Sequence, residues 1–152
     1  MERVARHLKQ WLVLGLVLVG LALDRNALAV EPGPVDENAP QEFTTTKSGL
    51  KYRIRRKSEG RKPTAADTVT VHYKGWLNDN TEFDSSYKSD KPATFRLDSV
   101  IKGWCEGMQL VSEGGMIELE IPPELGYGAQ GVNGVIPPNA TLHFLVELSK
   151  IQ

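Results

Sequence analysis

The sequence predicts an α+β domain, an antiparallel sheet of about five strands, wet on one side, facing a single short helix. Three observations predict it. Four stretches alternate apolar and polar residues with a period of two, the mark of strands with one buried face. A single stretch, Ser99 to Leu110, has a helical pattern, and it is short. The lone cysteine, Cys105, cannot form an intramolecular disulfide, and no Cys/His cluster has zinc-ligand spacing, so stability rests on a core.

The strands follow in order. Leu50, Tyr52 and Ile54 alternate with Lys51, Arg53 and Arg55. Val69, Val71 and Tyr73 alternate with Thr68, Thr70 and His72. Phe83 and Phe95 mark two shorter strands. Ile117, Leu119 and Ile121 alternate with Glu118 and Glu120, and Leu142, Phe144, Val146 and Leu148 alternate with Thr141, His143 and Glu147. Asp98 or Ser99 is the expected helix cap, and Gly103 and Gly107 limit the helix to a turn or two. His72, His143 and the basic run Arg53, Arg55, Arg56 and Lys57 read as wet strand faces.

Three segments divide the chain. Residues 1–29 read as a signal peptide: Arg3, Arg6 and Lys9 precede the apolar run Trp11 to Leu23, and Ala27-Leu28-Ala29 supplies small residues for cleavage. The run is shorter than the roughly 20 residues of a membrane span. Residues 30–47, rich in proline and without apolar periodicity, read as a flexible spacer with an edge strand at its end. Residues 48–152 form the domain. The formal net charge of −1 gives no footprint for nucleic acid, and none is expected as a partner.

Two connections are long, Asp84 to Thr94 and Pro122 to Ala140. A nineteen-residue connection is unusual in a compact domain unless it has a function. Its prolines restrict the backbone and its glycines permit positive φ, so it is a shaped loop and a candidate binding wall. The aromatic residues of the domain fall at strand ends, in the helix or in this loop. Periodicity alone does not separate core from pocket lining among them.

The segments VHYKGWL (71–77), EFDSS (82–86), VIKGWCEGM (100–108) and PPELGYGAQGVNGVIPPNATLHFLVELSKI (122–151) resemble the FKBP family, the macrolide-binding peptidyl-prolyl cis/trans isomerases. The resemblance is ordered and covers Ser48 to Gln152. It implies a five- to six-stranded antiparallel sheet curled around one short helix. It implies a proline pocket with Trp104 as floor and Tyr73, Phe83, Phe95 and Phe144 as sides. Val100 and Ile101 would close its entrance, with the Ile101 N–H aimed at a substrate carbonyl. Tyr127 and Ile136 would come from the long loop. The Tyr127 hydroxyl would donate to substrate backbone, with the Asp84 carboxylate beside it at the rim. Asp84, Trp104, Tyr127 and Phe144 are the catalytic candidates and the other six bind substrate. Such a site needs no cofactor, metal or nucleophile.

The family pattern is broken in places. Ser89 stands where an arginine often pairs with the rim aspartate, Ala93 replaces a loop aromatic, and Val132-Asn133 replaces a His-Pro or similar pair. The resemblance implies proline-containing polypeptide substrates and macrolide inhibitors as ligands. The short, proline-rich spacer leaves no room for the helical dimerisation segment of many bacterial relatives, so a monomer is expected. The leader points to export, to the periplasm first, with the thylakoid lumen, the endoplasmic reticulum or an uncleaved membrane anchor as alternatives. A prolyl-peptide-binding chaperone module with little turnover is the rival function. Cys105 reads as a buried, inert thiol, with an oxidation switch as its alternative. Gly126 to Gly131 fits a dinucleotide-binding glycine pattern, but no helix follows it, and Asn139-Ala-Thr141 is a glycosylation sequon only in a eukaryotic secretory host. A hydrolase is set aside because neither His72 nor His143 has a motif partner.

Overall fold

The computed structural model describes residues 30–152, so the leader expected over residues 1–29 lies outside the described residues. The elements run β1 (Thr44–Thr45), β2 (Lys51–Arg56), β3 (Thr68–Trp76), β4 (Glu82–Ser85), β5 (Ala93–Arg96), α1 (Lys102–Met108), β6 (Met116–Ile121) and β7 (Leu142–Ile151). The four alternating stretches are β2, β3, β6 and β7, and Phe83 and Phe95 lie in β4 and β5. All pairings are antiparallel, in the order β1-β2-β6-β7-β3-β4, with β5 also on β3. Seven strands stand where five to six were expected. The seventh is the two-residue edge strand β1.

Alternation decides which face is buried. Val69, Val71 and Tyr73 of β3 point inward, with Ile117, Leu119 and Ile121 of β6 and Leu142, Phe144, Val146 and Leu148 of β7. Fully burying one such aliphatic side chain contributes about 1.5–3 kcal/mol, so this face dominates the stability of the fold. Helix α1 covers it, packing Trp104 and Met108 into the same cluster.

The outer edge of β3 is divided between two partners. Thr68 to Val71 pair with β5, and Lys74 to Trp76 pair with β4. Between them, the buried Ser86 stands in for a strand residue. Its N–H donates to the Tyr73 carbonyl at 2.9 Å, and its hydroxyl accepts the Tyr73 N–H at 2.8 Å. Buried backbone polar groups need partners, and one serine supplies them where the strands part.

Three local expectations change. The helix starts at Lys102, not Ser99, because Leu97–Ser99 form a 3₁₀ turn anchored by the fully buried Leu97, and Val100 is extended at φ −103°, ψ 172°. The cap is Ile101, with no side-chain cap; Asp98 instead takes the Arg96 guanidinium at 2.5 Å. Residues 30–47, expected as a flexible spacer, lie against the body. Gly33 donates to Glu147 at 3.0 Å, Arg56 and Arg55 donate to the Pro34 and Pro40 carbonyls, and Arg53 lies 4.5 Å over the Phe43 ring. The physical reason is the basic run of β2. Its guanidiniums are not simply wet; they satisfy carbonyls of the segment and pair with Glu118 and Glu147. His72 is likewise not free: its Nδ1 is 2.9 Å from the Ser86 hydroxyl, and its ring stacks on Tyr87.

Candidate active site

A cleft of about 520 Å³ opens between the inner face of the sheet and the start of α1. Its floor is Trp104, carried by α1 and only 4% exposed. Three rings meet the indole edge to face: Tyr73 from β3 at 5.3 Å, Phe144 from β7 at 5.4 Å and Phe95 from β5 at 5.5 Å between centroids. Phe83 from β4 packs perpendicular to Phe144 at 5.5 Å. Four strands and the helix each contribute one ring, so the box exists only when the sheet is complete. Edge-to-face pairs of this kind contribute about 0.5–1.5 kcal/mol each beyond their burial, so the box is held in shape before any ligand enters.

Polar groups are few and placed. The Tyr73 hydroxyl donates to the Asp84 carboxylate at 2.5 Å. Burial and that hydrogen bond hold the Tyr73 hydroxyl protonated well above the usual tyrosine range. Asp84 takes Tyr73 as its hydrogen-bond partner because β3 and β4 place the two side chains on one face two registers apart, and Tyr127 lines the same cleft. Tyr127 reaches the cleft from the long loop and is 42% exposed, leaving its hydroxyl accessible. Ile101 caps α1, so its N–H lies outside the helix's own ladder. The Trp104 Nε1–H is buried without a hydrogen-bond partner among the described residues.

All the residues named from the sequence line this cleft except Ile136. Ile136 is 6% exposed and sits in the core cluster, where its carbonyl accepts the Val132 N–H at 2.8 Å and closes the loop on itself. It shapes the wall from behind. Ser99 lines the cleft instead and was read only as a candidate cap. Its position depends on the 3₁₀ turn, for which the sequence has no periodic signal. Cys105 is partly buried on α1, with the Gln109 amide donating to its carbonyl at 2.8 Å.

The arrangement is a preformed, mostly aromatic cup with a hydrogen-bonding rim, fit to hold a small ring and the peptide backbone beside it. Residues 59–149 match the family model described as FKBP-type peptidyl-prolyl cis-trans isomerase, and the chain belongs to that family. A probable FKBP-type peptidyl-prolyl cis-trans isomerase of Haemophilus influenzae is 51% identical over 108 residues, which are 71% of this chain and 45% of that protein. The crystal structure of FkpA from Escherichia coli superposes with a TM-score of 0.71 at 48% identity, covering 74% of this chain and 53% of that one. That of a peptidyl-prolyl cis-trans isomerase from Pseudomonas syringae pv. tomato superposes at 0.69 with 35% identity, covering 76% and 85%. The chain thus spans less than half the length of the curated relative, and the family match at residues 59–149 falls on the domain that carries the cleft.

Proposed function

We propose that this chain accelerates cis/trans rotation about X-Pro bonds, with proline-containing polypeptides as substrates. The observation that carries the reading is the ring box: an apolar floor, Trp104, walled edge-on by Tyr73, Phe95 and Phe144.

The chemistry follows from the amide. Resonance sets a barrier of about 18–20 kcal/mol to rotation. The twisted state loses that resonance and its carbonyl is less dipolar, so a water-poor cup destabilises the planar form more than the twisted one. Binding helps only where it is tighter at the twisted geometry. The proline ring rests on Trp104, while the Tyr127 hydroxyl and the Ile101 N–H hold backbone carbonyls in a bent course. Asp84, fixed by Tyr73, presents a carboxylate to the rim and accepts a substrate N–H. No bond to substrate forms or breaks.

A proline-peptide isomerisation assay tests this. Tyr127→Phe removes one hydroxyl of an exposed residue with little folding cost, and losing one such hydrogen bond, about 0.5–1.5 kcal/mol, lowers kcat/KM about two- to thirteenfold. Trp104→Leu keeps the floor apolar but not flat and lowers kcat/KM more than Tyr127→Phe does. Unchanged rates in both folded variants sink the site assignment. Peptide binding without turnover in the wild type replaces isomerisation by the chaperone reading. The leader pattern supports export of the chain, to the periplasm, and the family resemblance supports macrolides as ligands of the cup. Mass spectrometry of the mature N-terminus in the native host decides the first, and competition by a macrolide in the same assay the second. Sedimentation tests the monomer.

A further inference from the structure

We propose that Glu147 and Tyr87, together with the strap of residues 30–43, act as positioning residues for the cleft from the opposite face of the sheet; the inference rests on the isomerase reading above.

One carboxylate gathers three separate parts of the chain. Glu147 of β7 accepts from the Tyr87 hydroxyl at 2.6 Å, from the Gly33 N–H of the strap at 3.0 Å and from Arg56 of β2 at 2.8 Å. Arg56 also donates to the Pro34 carbonyl, so the strap is held by both members of the ion pair. Burial raises the Glu147 carboxyl, but the hydrogen bonds from Tyr87, Gly33 and Arg56 outweigh it and hold the group below its ordinary value. Its side chain is 15% exposed, so losing one donor leaves a desolvated charge short of partners.

Tyr87 passes this anchorage on. It lies in the connection between β4 and β5, at the start of a 3₁₀ turn, it is 5% exposed, and its ring stacks on His72 at 5.2 Å. His72 in turn meets the Ser86 hydroxyl, which accepts the Tyr73 N–H. The two ends of this connection carry Phe83 and Asp84 on one side and Phe95 on the other, all lining the cleft. Neither β4 nor β5 is longer than four residues, and both hang on the edge of β3. Short edge strands define ring positions loosely unless something fixes the connection between them. Tyr87 is that fixing point. Catalysis by positioning tolerates little displacement of such walls.

The test uses the full chain. Tyr87→Phe removes only the hydroxyl and keeps the ring on His72. Gly33→Ala is the milder probe from the other end, since its Cβ would lie 2.8 Å from the Glu147 carboxylate and 2.9 Å from Arg56 Nη1, displacing the pair. Arg61→Gln, which loosens the turn at Asp67 and Thr64, serves as the stability control. Two quantities are read, kcat/KM and the resonance of the Trp104 indole N–H. Expected are a fall of about three- to tenfold and a shifted indole resonance in Tyr87→Phe, with smaller changes of the same sign in Gly33→Ala. Arg61→Gln lowers the unfolding midpoint and changes neither. If the two probes lower only the midpoint, as the control does, the proposal is overturned. A wild type without isomerase activity defeats the functional reading instead, and the indole resonance then decides the positioning alone.

Discussion

Gly75 faces Phe144 across the β3–β7 ladder, and its lack of a side chain makes the aromatic box possible. A Cβ there would lie 2.6 Å from Cζ of Phe83 and 2.7 Å from Cε1 of Phe144. Both rings line the cleft, so neither can move without changing it. Gly75→Ala is expected to destabilise the fold by about 1–3 kcal/mol through overpacking, and to lower kcat/KM beyond what the folded fraction explains. Denaturation and the isomerisation assay at one temperature check this; an unchanged rate per folded molecule would show that the two walls shift without consequence. At this scale the sequence is partly legible. Tyr73 and Phe144 stand out as large rings at buried positions, but period-two spacing assigns them to the inner face and no further, and Trp104 is marked only by its place in the one helical stretch. Their separation into cup and core came from the resemblance. Ile136 and Ser99 exchanged places because loop closure and a 3₁₀ turn leave no periodic trace.

Elements show a similar division. The alternation of β3, β6 and β7 is plain because one face is dry and the other wet, while β2 alternates in sequence but is half-buried on both faces. The shorter β4 and β5 are marked by one phenylalanine each, and their attachment to the two halves of β3 is invisible in sequence because Ser86, a common loop residue, replaces a strand there. Helix α1 carries a subtler lesson. Gly103 and Gly107 look like helix weakeners, and in isolation replacing either by alanine gains about 1 kcal/mol. In the fold they are the contact surface against β6. A Cβ on Gly107 would lie 2.7 Å from Cδ2 of Leu119, and one on Gly103 2.5 Å from Cγ2 of Ile121. Leu119 and Ile121 are fully buried and have no free space to yield into. Overpacking of about 1–3 kcal/mol matches or exceeds the propensity gain of about 1, so Gly107→Ala is expected to destabilise by up to about 2 kcal/mol. A urea midpoint that rises instead would mean the helix stands further from the sheet than 2.7 Å contacts imply.

At the scale of the whole molecule, the domain is closed by charge as well as by its core. The sequence shows an arginine-rich β2 and glutamates on β6 and β7, but residues 91 positions apart, such as Arg56 and Glu147, reveal their pairing only in three dimensions. This is why residues 30–47 read as a loose spacer: proline content signals the absence of regular structure, not the absence of docking. The pairing predicts how the protein meets acid. Glu147 lies below its ordinary value of 4.5, and the hydrogen bond from Arg61, with those from Thr64, holds Asp67 at about 2 against 3.8. A carboxylate with a depressed folded pKa contributes stability that is complete above its unfolded value and disappears as pH falls through the folded one. Urea unfolding midpoints are therefore expected to be level above about pH 5 and to fall between about pH 4.5 and about 2. Glu147→Gln separates the strap's share from the rest. It begins lower at pH 7, having lost the ion pair to Arg56, and then loses less on acidification, because the group that would have taken up the proton is gone. The two curves converge toward pH 2 if Glu147 is the anchor. Parallel curves over that range would mean that the carboxylate titrates alike in folded and unfolded chains, and that the strap is held by its other contacts, those of Pro34, Asp36 and Pro40 among them.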